Sequence, residues 1–375
     1  MLHRVKLLQE LELVSDQLFL DLSDQVNTAR TIWDRMVKDA ELPFKIAACQ
    51  MPWPLPLWQG QLDLVVNVKS YDKPYQLLSV DGSQVYPDKH QGTSCFLINI
   101  GTVELQYATG KKGIIFQSIP RVFTDLSQEL GAEISSSADL VNAKREELEL
   151  QTGLEYAVRL KTESDFPLLF LFDGSLIFWH LASKEQQLKQ YFLNKYMKIL
   201  QACADNKLLI AGYISLPKSK DLIALVRTVL CNFNAASKEH EAIEHLTDTS
   251  ITRFFLGIGQ RTTVFKSQSP ITQSYPAELA PYFFYYHIGA ETVRVEVPWY
   301  IAKDEEALSL ICSIILDQVN KGAGFPVSLA EAHEQAVVKG PDREFFYHLI
   351  EKLGIAQNKS VTLSQKSRKK RGIAV

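Results

Sequence analysis

The sequence lacks the features of a secreted or membrane-spanning protein. Its five cysteines are odd in number, widely scattered and include no Cys-x-x-Cys pair, which argues against a disulfide framework and against a zinc site. No apolar run approaches the roughly 20 residues of a bilayer-spanning helix, and the first ten residues mix charges with Leu and Val instead of forming a signal peptide. We therefore expect a cytoplasmic protein.

Nucleotide-binding and serine-hydrolase motifs are absent as well. The segment Phe255-Leu-Gly-Ile-Gly259 lacks the third glycine of a dinucleotide fingerprint, and the sequence contains no Gly-x-x-x-x-Gly-Lys-Ser/Thr phosphate loop. Gly174-Ser175 lacks the Gly-x-Ser-x-Gly elbow of ester hydrolases. An ATP-driven motor and a serine esterase are both disfavoured.

Neither positive nor negative charge predominates in the sequence. The 40 Lys and Arg residues nearly balance the 43 Asp and Glu residues, for a net charge of -3. Any surface that binds nucleic acid must therefore be local. The basic run Gln365 to Arg371 has no apolar residues and predicts a disordered tail.

The hydrophobic pattern predicts an α/β protein. Residues up to about Ala40 are typical of one or two amphipathic helices bearing Leu7, Leu8, Leu11, Leu18 and Leu20, and the proline-rich Met51 to Trp58 predicts an extended connector. Short apolar runs separated by glycine-containing turns predict an antiparallel meander at Tyr75 to Val80, Ser94 to Ile100, Val103 to Ala108 and Ile114 to Ser118. An alternation of helices and strands is predicted next, with helices at Ala138 to Thr162, Lys184 to Ala204 and Lys218 to Cys231, a buried strand at Leu168 to Phe172 and a strand at Leu208 to Ser215. The remaining elements are a hairpin turned at Gly289 to Glu291 and helices at Glu305 to Asn320, Ser328 to Lys339 and Asp342 to Leu353.

These elements define three regions and one fold class. We expect an N-terminal helical region and connector at residues 1–60, a main domain at 61–355 and the basic tail at 356–375. The main domain should be a mixed sheet flanked by helices, with a C-terminal hairpin and helices.

Two segments share one local design, Leu77-Leu-Ser-Val-Asp-Gly-Ser83 and Leu169-Phe-Leu-Phe-Asp-Gly-Ser175. Each places an aspartate where an apolar strand ends, followed by a glycine without the Cβ that would keep a metal or phosphate away. Carboxylates on neighbouring strand ends suit hard divalent cations, and a pair of ions about 4 Å apart is suited to phosphodiester cleavage. Ordinary Asp-Gly turns are the alternative for either motif alone. We predict that Asp81 and Asp173 lie on adjacent strands and bind metal.

A third carboxylate is expected from the acidic helix before the second strand. Glu149 is preferred because its helical face presents Thr152 and Gly153 and leaves room for a metal. Glu147 and Glu155 remain open, and a solvated acidic face paired with neighbouring basic residues is the alternative.

The aromatic strand around His287 supplies further candidates. His287 could order water, contact a phosphate or complete a metal site, although a hydrogen-bonded core histidine is the alternative. Arg294 and Glu296 share one face of the next strand, as an ion pair or as a phosphate contact with its orienting partner. His333 and His348 are interpreted as helix-surface or packing residues.

The ordered set of motifs resembles the NurA family of DNA-end-processing nucleases. The set comprises Ser-Val-Asp81-Gly-Ser, the acidic helix, Leu-Phe-Asp173-Gly-Ser-Leu, Gly212-Tyr-Ile-Ser-Leu-Pro-Lys-Ser219, Tyr-Tyr-His287, Arg294-Val-Glu-Val-Pro298 and Ser328-Leu-Ala-Glu-Ala-His333. The resemblance spans roughly Leu77 to Leu353.

The resemblance implies a ribonuclease-H-like core, a homodimer and Mn²⁺, with Mg²⁺ as the alternative ion. It implies 5′-3′ exonuclease and single-strand endonuclease activity on DNA, in end resection and double-strand break repair with a hexameric HerA-type translocase. Asp81, Asp173 and His287 match the family's positions, Glu149 or Glu155 supplies the glutamate, and Lys218 and Arg294 are candidate substrate contacts. A catalytically inactive DNA-binding or scaffold subunit of the same fold is the alternative. Such a subunit should have lost an acidic position, and both Asp81 and Asp173 are present in this sequence.

Overall fold

The computed structural model describes residues 2–15, 21–87, 95–108, 111–124 and 138–357. Its helices are α1 Arg4–Leu13, α2 Ser23–Met36, α3 Leu42–Ala48, α4 Ala138–Glu163, α5 Gln186–Asp205, α6 Asp221–Leu230, α7 Asp248–Thr252, α8 Trp299–Ala302, α9 Glu305–Lys321, α10 Val327–Ala336 and α11 Gly340–Ala356. Short 3₁₀ turns lie at Trp179–Leu181, Glu239–Ile243, Pro270–Ser274 and Ala277–Leu279. Among the described residues, no helix is long and apolar enough to cross a membrane.

The strands of the described residues form one mixed sheet of 11 members, which confirms the α/β prediction. They are β1 Leu57–Trp58, β2 Val65–Asn67, β3 Tyr75–Val85, β4 Phe96–Ala108, β5 Lys111–Phe123, β6 Leu168–Asp173, β7 Leu209–Ile214, β8 Gln260–Thr262, β9 Phe265–Lys266, β10 Pro281–His287 and β11 Thr292–Pro298. The main order is β1-β9-β10-β11-β7-β6-β3-β4-β5, and β8 joins β2 to β10. Among the strands of the described residues, only the β3–β6 and β6–β7 pairs are parallel.

The arrangement of the central strands follows from their order along the chain. An antiparallel meander of β3, β4 and β5 is followed by α4, which returns the chain to place β6 parallel to β3, and α5 then leads to β7 on the far side of β6. This arrangement matches the ribonuclease-H-like core that was expected. It brings the C-terminal ends of β6 and β7 to the level of Asp81 in β3.

Two predicted turns are wrong. Asp81-Gly82-Ser83 is not a turn, because β3 continues through it to Val85 in register with β4. Gly101 does not separate two strands either, because β4 is continuous from Phe96 to Ala108. Helix α10 lies directly over Gly101, where a Cβ would come within 2.5 Å of the Ala332 carbonyl oxygen and 2.4 Å of the Ala336 nitrogen. Gly101 is therefore needed for a close approach of helix and strand rather than for a turn.

Replacing Gly101 with Ala should destabilise the protein. The added Cβ would meet helix backbone, which can yield only if α10 moves, so we expect a loss of roughly 1–3 kcal/mol in the free energy of unfolding. Gly340→Ala is the matched control, because a Cβ there would meet nothing within 4 Å. Urea unfolding of the two variants measures the difference, and equal stability would contradict the contact between α10 and β4.

Most of the core of the described residues lies in two hydrophobic clusters, and a small third one packs Val85, Cys95 and Leu97 against Phe346 and Tyr347 of α11. The larger contains the apolar runs of β3, β6 and β7 with α4, α5 and α9. The second contains α2, α3 and α6 packed over Phe283 and Tyr285 of β10, so the N-terminal helices cover the β10 end of the sheet.

Helix α1 differs from the amphipathic prediction. It buries none of its residues, and Leu7, Leu8 and Leu11 are exposed. Leu18, Leu20 and the basic run Gln365 to Arg371 lie outside the described residues. The five cysteines form no disulfide, as expected.

Candidate metal centre

Asp81 and Asp173 lie side by side, as predicted from their apolar strands. The parallel pairing of β3 and β6 runs to Val80 opposite Phe172, one residue before each aspartate. Neighbouring strands are separated by about 4.8 Å, and residues in register point to the same face. β6 ends at Asp173 while β3 continues to Val85, and we call the place beside Asp81 where β6 stops the recess.

A histidine completes this recess from α10. His333 Nδ1 lies 2.9 Å from Asp81 Oδ2, although its side chain is 62% exposed. Helix α10 is held along β3 by a hydrogen bond of 2.9 Å between the hydroxyls of Ser79 and Ser328. The sequence interpretation of His333 as a surface or packing residue missed this contact. The available signal was its place in the last motif of the family resemblance.

Glu149 enters the site from α4. Its side chain is buried, and Arg145 Nη1 donates to Glu149 Oε1 at 2.8 Å while lying 4.0 Å from Asp81 Oδ1. Two of the three carboxylates therefore share one guanidinium nitrogen. A Cβ on Gly82 would lie 2.5 Å from Glu149 Oε1, so the glycine makes room for this carboxylate rather than for a phosphate or metal.

The two other glutamates that the sequence left open, Glu147 and Glu155, point elsewhere. Glu147 binds Lys144 and Lys195, each at 3.0 Å. Exposed Glu155 accepts from Gln151 at 2.9 Å. Of the glutamates left open by the sequence, Glu149 is the one that faces Asp81.

The carboxylates oppose one another's ionisation. Burial raises the pKa of Glu149 well above its usual value, the Arg145 charge lowers it, and the charges of Asp81, Glu146 and Asp173 raise it further. Desolvation, followed by the charge of Asp81, raises the pKa of Asp173 to about 6, with His333 and Arg145 acting in the opposite direction. Clustered carboxylates with raised pKa values are typical of functional sites and favour cation binding.

The raised pKa of Asp173 predicts a pH-dependent stability. Folded Asp173 holds its proton more tightly than the unfolded chain, so its contribution is complete below about pH 4 and is lost as the pH rises through 6. Asp173→Asn should therefore raise the melting temperature in chelator at pH 7.5 and lose this advantage near pH 4. Solvent reaches the side chain and screens the effect, which limits it to a few degrees. An advantage that is constant with pH would contradict this origin.

The donor set fits a hard divalent cation in chemistry, because three carboxylates and an imidazole are brought to the same end of β6. In the part of the chain that the structure describes, however, no three such side chains stand close enough to enclose a metal ion. The reason is local, since Asp81 Oδ2 is directed at His333 and Glu149 at Arg145. An ion would have to compete with these two partners.

His287 is not brought to this recess. It ends β10, which is the third strand from β6, or about 14 Å at the usual strand spacing. Its Nδ1 accepts from the Gly289 nitrogen at 3.2 Å, within the predicted hairpin. His287 is therefore hydrogen-bonded, but it is half-buried at the hairpin and is not the core histidine that was the alternative.

The two candidate substrate contacts are placed differently. Arg294 is 2% exposed and pairs with Glu296 and Asp221, each at 2.7 Å, with its guanidinium carbon 3.7 Å from the Phe283 ring centre. The structure thus shows the ion-pair alternative for Arg294. Lys218 is exposed in the loop after β7, at the same edge of the sheet as Asp173.

Comparison with protein families identifies the family to which this chain is related. The model of the NurA domain matches residues 75–338, from the start of β3 to just past α10. The chain belongs to the NurA family. The matched region contains Asp81, Glu149, Asp173 and His333, whereas the N-terminal helices and α11 lie outside it.

Solved NurA structures are similar only at a distance. A crystal structure of NurA is 11% identical, covers 88% of this chain and 98% of its own, and has a TM-score of 0.41. A crystal structure of NurA with manganese is 12% identical, covers 93% of this chain and 98% of its own, and also has a TM-score of 0.41. A crystal structure of NurA bound to dAMP and manganese is 13% identical, covers 86% of this chain and 94% of its own, and has a TM-score of 0.36. No curated protein matches the sequence.

Within the NurA domain, the two histidines can be separated by substitution. If DNA cleavage occurs at this recess, His333→Ala should reduce turnover by about 100-fold, in the range of a lost acid–base or positioning group. His287→Ala should change turnover less than threefold by comparison, because its ring faces the hairpin. Single-turnover cleavage rates measure both. A larger loss in His287→Ala would restore the role predicted from sequence.

Proposed function

We propose that this chain is a metal-dependent deoxyribonuclease that binds Mn²⁺, or Mg²⁺ in its place, through Asp81, Glu149 and Asp173. The observation that carries the proposal is that these carboxylates and His333 are brought together where β6 ends beside β3, within a NurA domain. Family membership motivates the choice of DNA and manganese. Some NurA proteins have been crystallised with manganese and dAMP.

Each residue has a distinct task in this proposal. The two aspartates and Glu149 supply the negative charge that holds the cations, and Arg145 keeps Glu149 in place. Bound divalent ions would lower the pKa of a water nucleophile and neutralise charge on the phosphate, as in two-metal hydrolases. His333 orients Asp81 and offers an imidazole beside the reacting phosphate. Lys218 is proposed as a substrate contact.

The biological role is proposed from the family. The activity would comprise 5′-3′ exonuclease and single-strand endonuclease cleavage during end resection, in partnership with a HerA-type hexameric translocase. The nuclease domain would span residues 61–355, preceded by the helical region and followed by the basic tail. A homodimer with a local basic DNA channel reconciles DNA binding with the net charge of -3.

One assay tests the activity. Labelled linear single- and double-stranded DNA, incubated with Mn²⁺, with Mg²⁺ and with chelator, should be cleaved only in the presence of metal. DNA binding without cleavage under all conditions would favour the inactive DNA-binding subunit.

The homodimer has a separate test. Analytical ultracentrifugation at micromolar concentration should give about twice the mass of a 42.4 kDa chain. A monomer would contradict the proposed dimer but would leave the nuclease proposal intact.

A further inference from the structure

A second cavity lies away from the metal centre, at the opposite end of β10 from His287. It has a volume of about 650 Å³ and lies between α3, β1, β9 and the start of α9. Its walls include side chains from β10 and α8, and β10 is separated from β6 by two strands. The size lies within the usual range for small-molecule sites.

Aromatic rings form much of its wall. Tyr282 and Trp299 stack with ring centres 4.9 Å apart and planes 29° apart, and both line the cavity. Trp58 lines it from β1, and Phe44 of α3, with 78% of its surface exposed, stands at its mouth. Such surfaces favour a flat ring, because every nucleobase has a π face that stacks without regard to sequence.

Two buried side-chain nitrogens at this cavity have no acceptor among the described residues. One is Arg261 Nε; Arg261 is 2% exposed and its other nitrogens donate to the Thr262 carbonyl and to Glu305. The other is the Nε1 of buried Trp58. Buried donors without acceptors cost free energy and are rare in native proteins. Both groups can only donate, so the missing partner is an acceptor.

The charges around the cavity favour an anion. Arg261 and Lys266 line it against one carboxylate, Glu305. The Lys266 ammonium has no hydrogen bond or ion pair within the described residues, and Arg261 shares its charge with Glu305. A phosphate would supply acceptors to both cations and to an orphan donor.

We propose that this cavity binds a nucleotide, with the base against the aromatic wall and the phosphate held by Arg261 and Lys266. The choice of a nucleotide over another aromatic anion rests on the proposed nuclease function. Two sources share this chemistry, a released mononucleotide and a nucleotide within a DNA strand.

Calorimetric titration of the full chain with dAMP in chelator tests the site, because removal of metal weakens binding at the metal centre. We expect saturable binding of dAMP, with deoxyadenosine and inorganic phosphate each at least tenfold weaker. Lys266→Gln and Trp299→Leu should each weaken dAMP binding at least fivefold. Lys303→Gln, an exposed lysine beside the cavity but outside its lining, should leave the affinity unchanged.

Competition separates the two sources. If a single-stranded oligonucleotide displaces dAMP and binds more tightly than dAMP does, the ligand is a nucleotide within a strand. If the oligonucleotide does not displace dAMP, the ligand is the mononucleotide. Absence of dAMP binding, or equal affinity in wild type, Lys266→Gln and Trp299→Leu proteins that melt normally, overturns the proposal. Because no metal is present, this result is independent of whether the chain cleaves DNA.

Discussion

Asp81→Asn and Asp173→Asn should each lower metal-dependent DNA cleavage by about 100-fold or more while the chain remains folded. Asparagine preserves size and most hydrogen bonding but removes one of the ligand charges that hold the cation. Both aspartates lie at the recess where β6 ends, within reach of His333 and Arg145. Release of nucleotides from labelled linear DNA in Mn²⁺ measures the loss.

Asp165→Asn is the matched control for this experiment. Asp165 is exposed three residues before β6 begins, at the opposite end of the same strand, so its loss should not affect cleavage. Thermal melting of all three variants guards against unfolding, and relief of like-charge repulsion should keep the site variants at or above wild-type stability. If Asp81→Asn and Asp173→Asn both cut DNA at the wild-type rate while folded, the proposed site does not exist.

The placement of the two aspartates was predictable because it depends on local sequence. Leu77 to Val80 and Leu168 to Phe172 are uninterrupted apolar runs, which are typical of strands buried on both faces, and the helix between them returns the chain for a parallel pairing. The adjacency of Asp81 and Asp173 follows from these two facts.

His333 could not be placed in the same way. Its contact with Asp81 depends on the register of α10 along β3, which is set by the Ser79–Ser328 hydrogen bond and by the bare backbone at Gly101. These are long-range packing relations that helical periodicity does not contain. The pattern identified α10 as a helix but not the face that meets the sheet.

The role of Arg294 also could not be decided from the sequence pattern. An arginine that alternates with a glutamate on an aromatic strand is equally consistent with an exposed phosphate contact and with a buried ion pair. The outcome is decided by Asp221, 73 residues earlier in the chain, which approaches within 2.7 Å when α6 packs over β10. The buried Arg294 charge is then stabilised by hydrogen bonds to Glu296, Asp221 and Tyr285 and by the face of the Phe283 ring.

Glu149→Gln should lower cleavage by about 100-fold, whereas Glu155→Gln should have an effect below threefold. The Glu149 carboxylate fills the space over Gly82 and shares Arg145 with Asp81, while exposed Glu155 is bound only to Gln151 within the described residues. The two substitutions are chemically identical and six residues apart on α4, so they control for each other.

A second measurement separates loss of metal binding from loss of structure. Mn²⁺ should raise the melting temperature of wild type and of Glu155→Gln, since a ligand that binds only the folded state stabilises it, and should raise that of Glu149→Gln much less. Without metal, Glu149→Gln should melt at or above the wild-type temperature, because burial and neighbouring carboxylates already disfavour the Glu149 charge. If instead Glu155→Gln loses both cleavage and the Mn²⁺ response while Glu149→Gln retains them, the third ligand is Glu155, and Glu149 serves only to anchor Arg145 beneath β3.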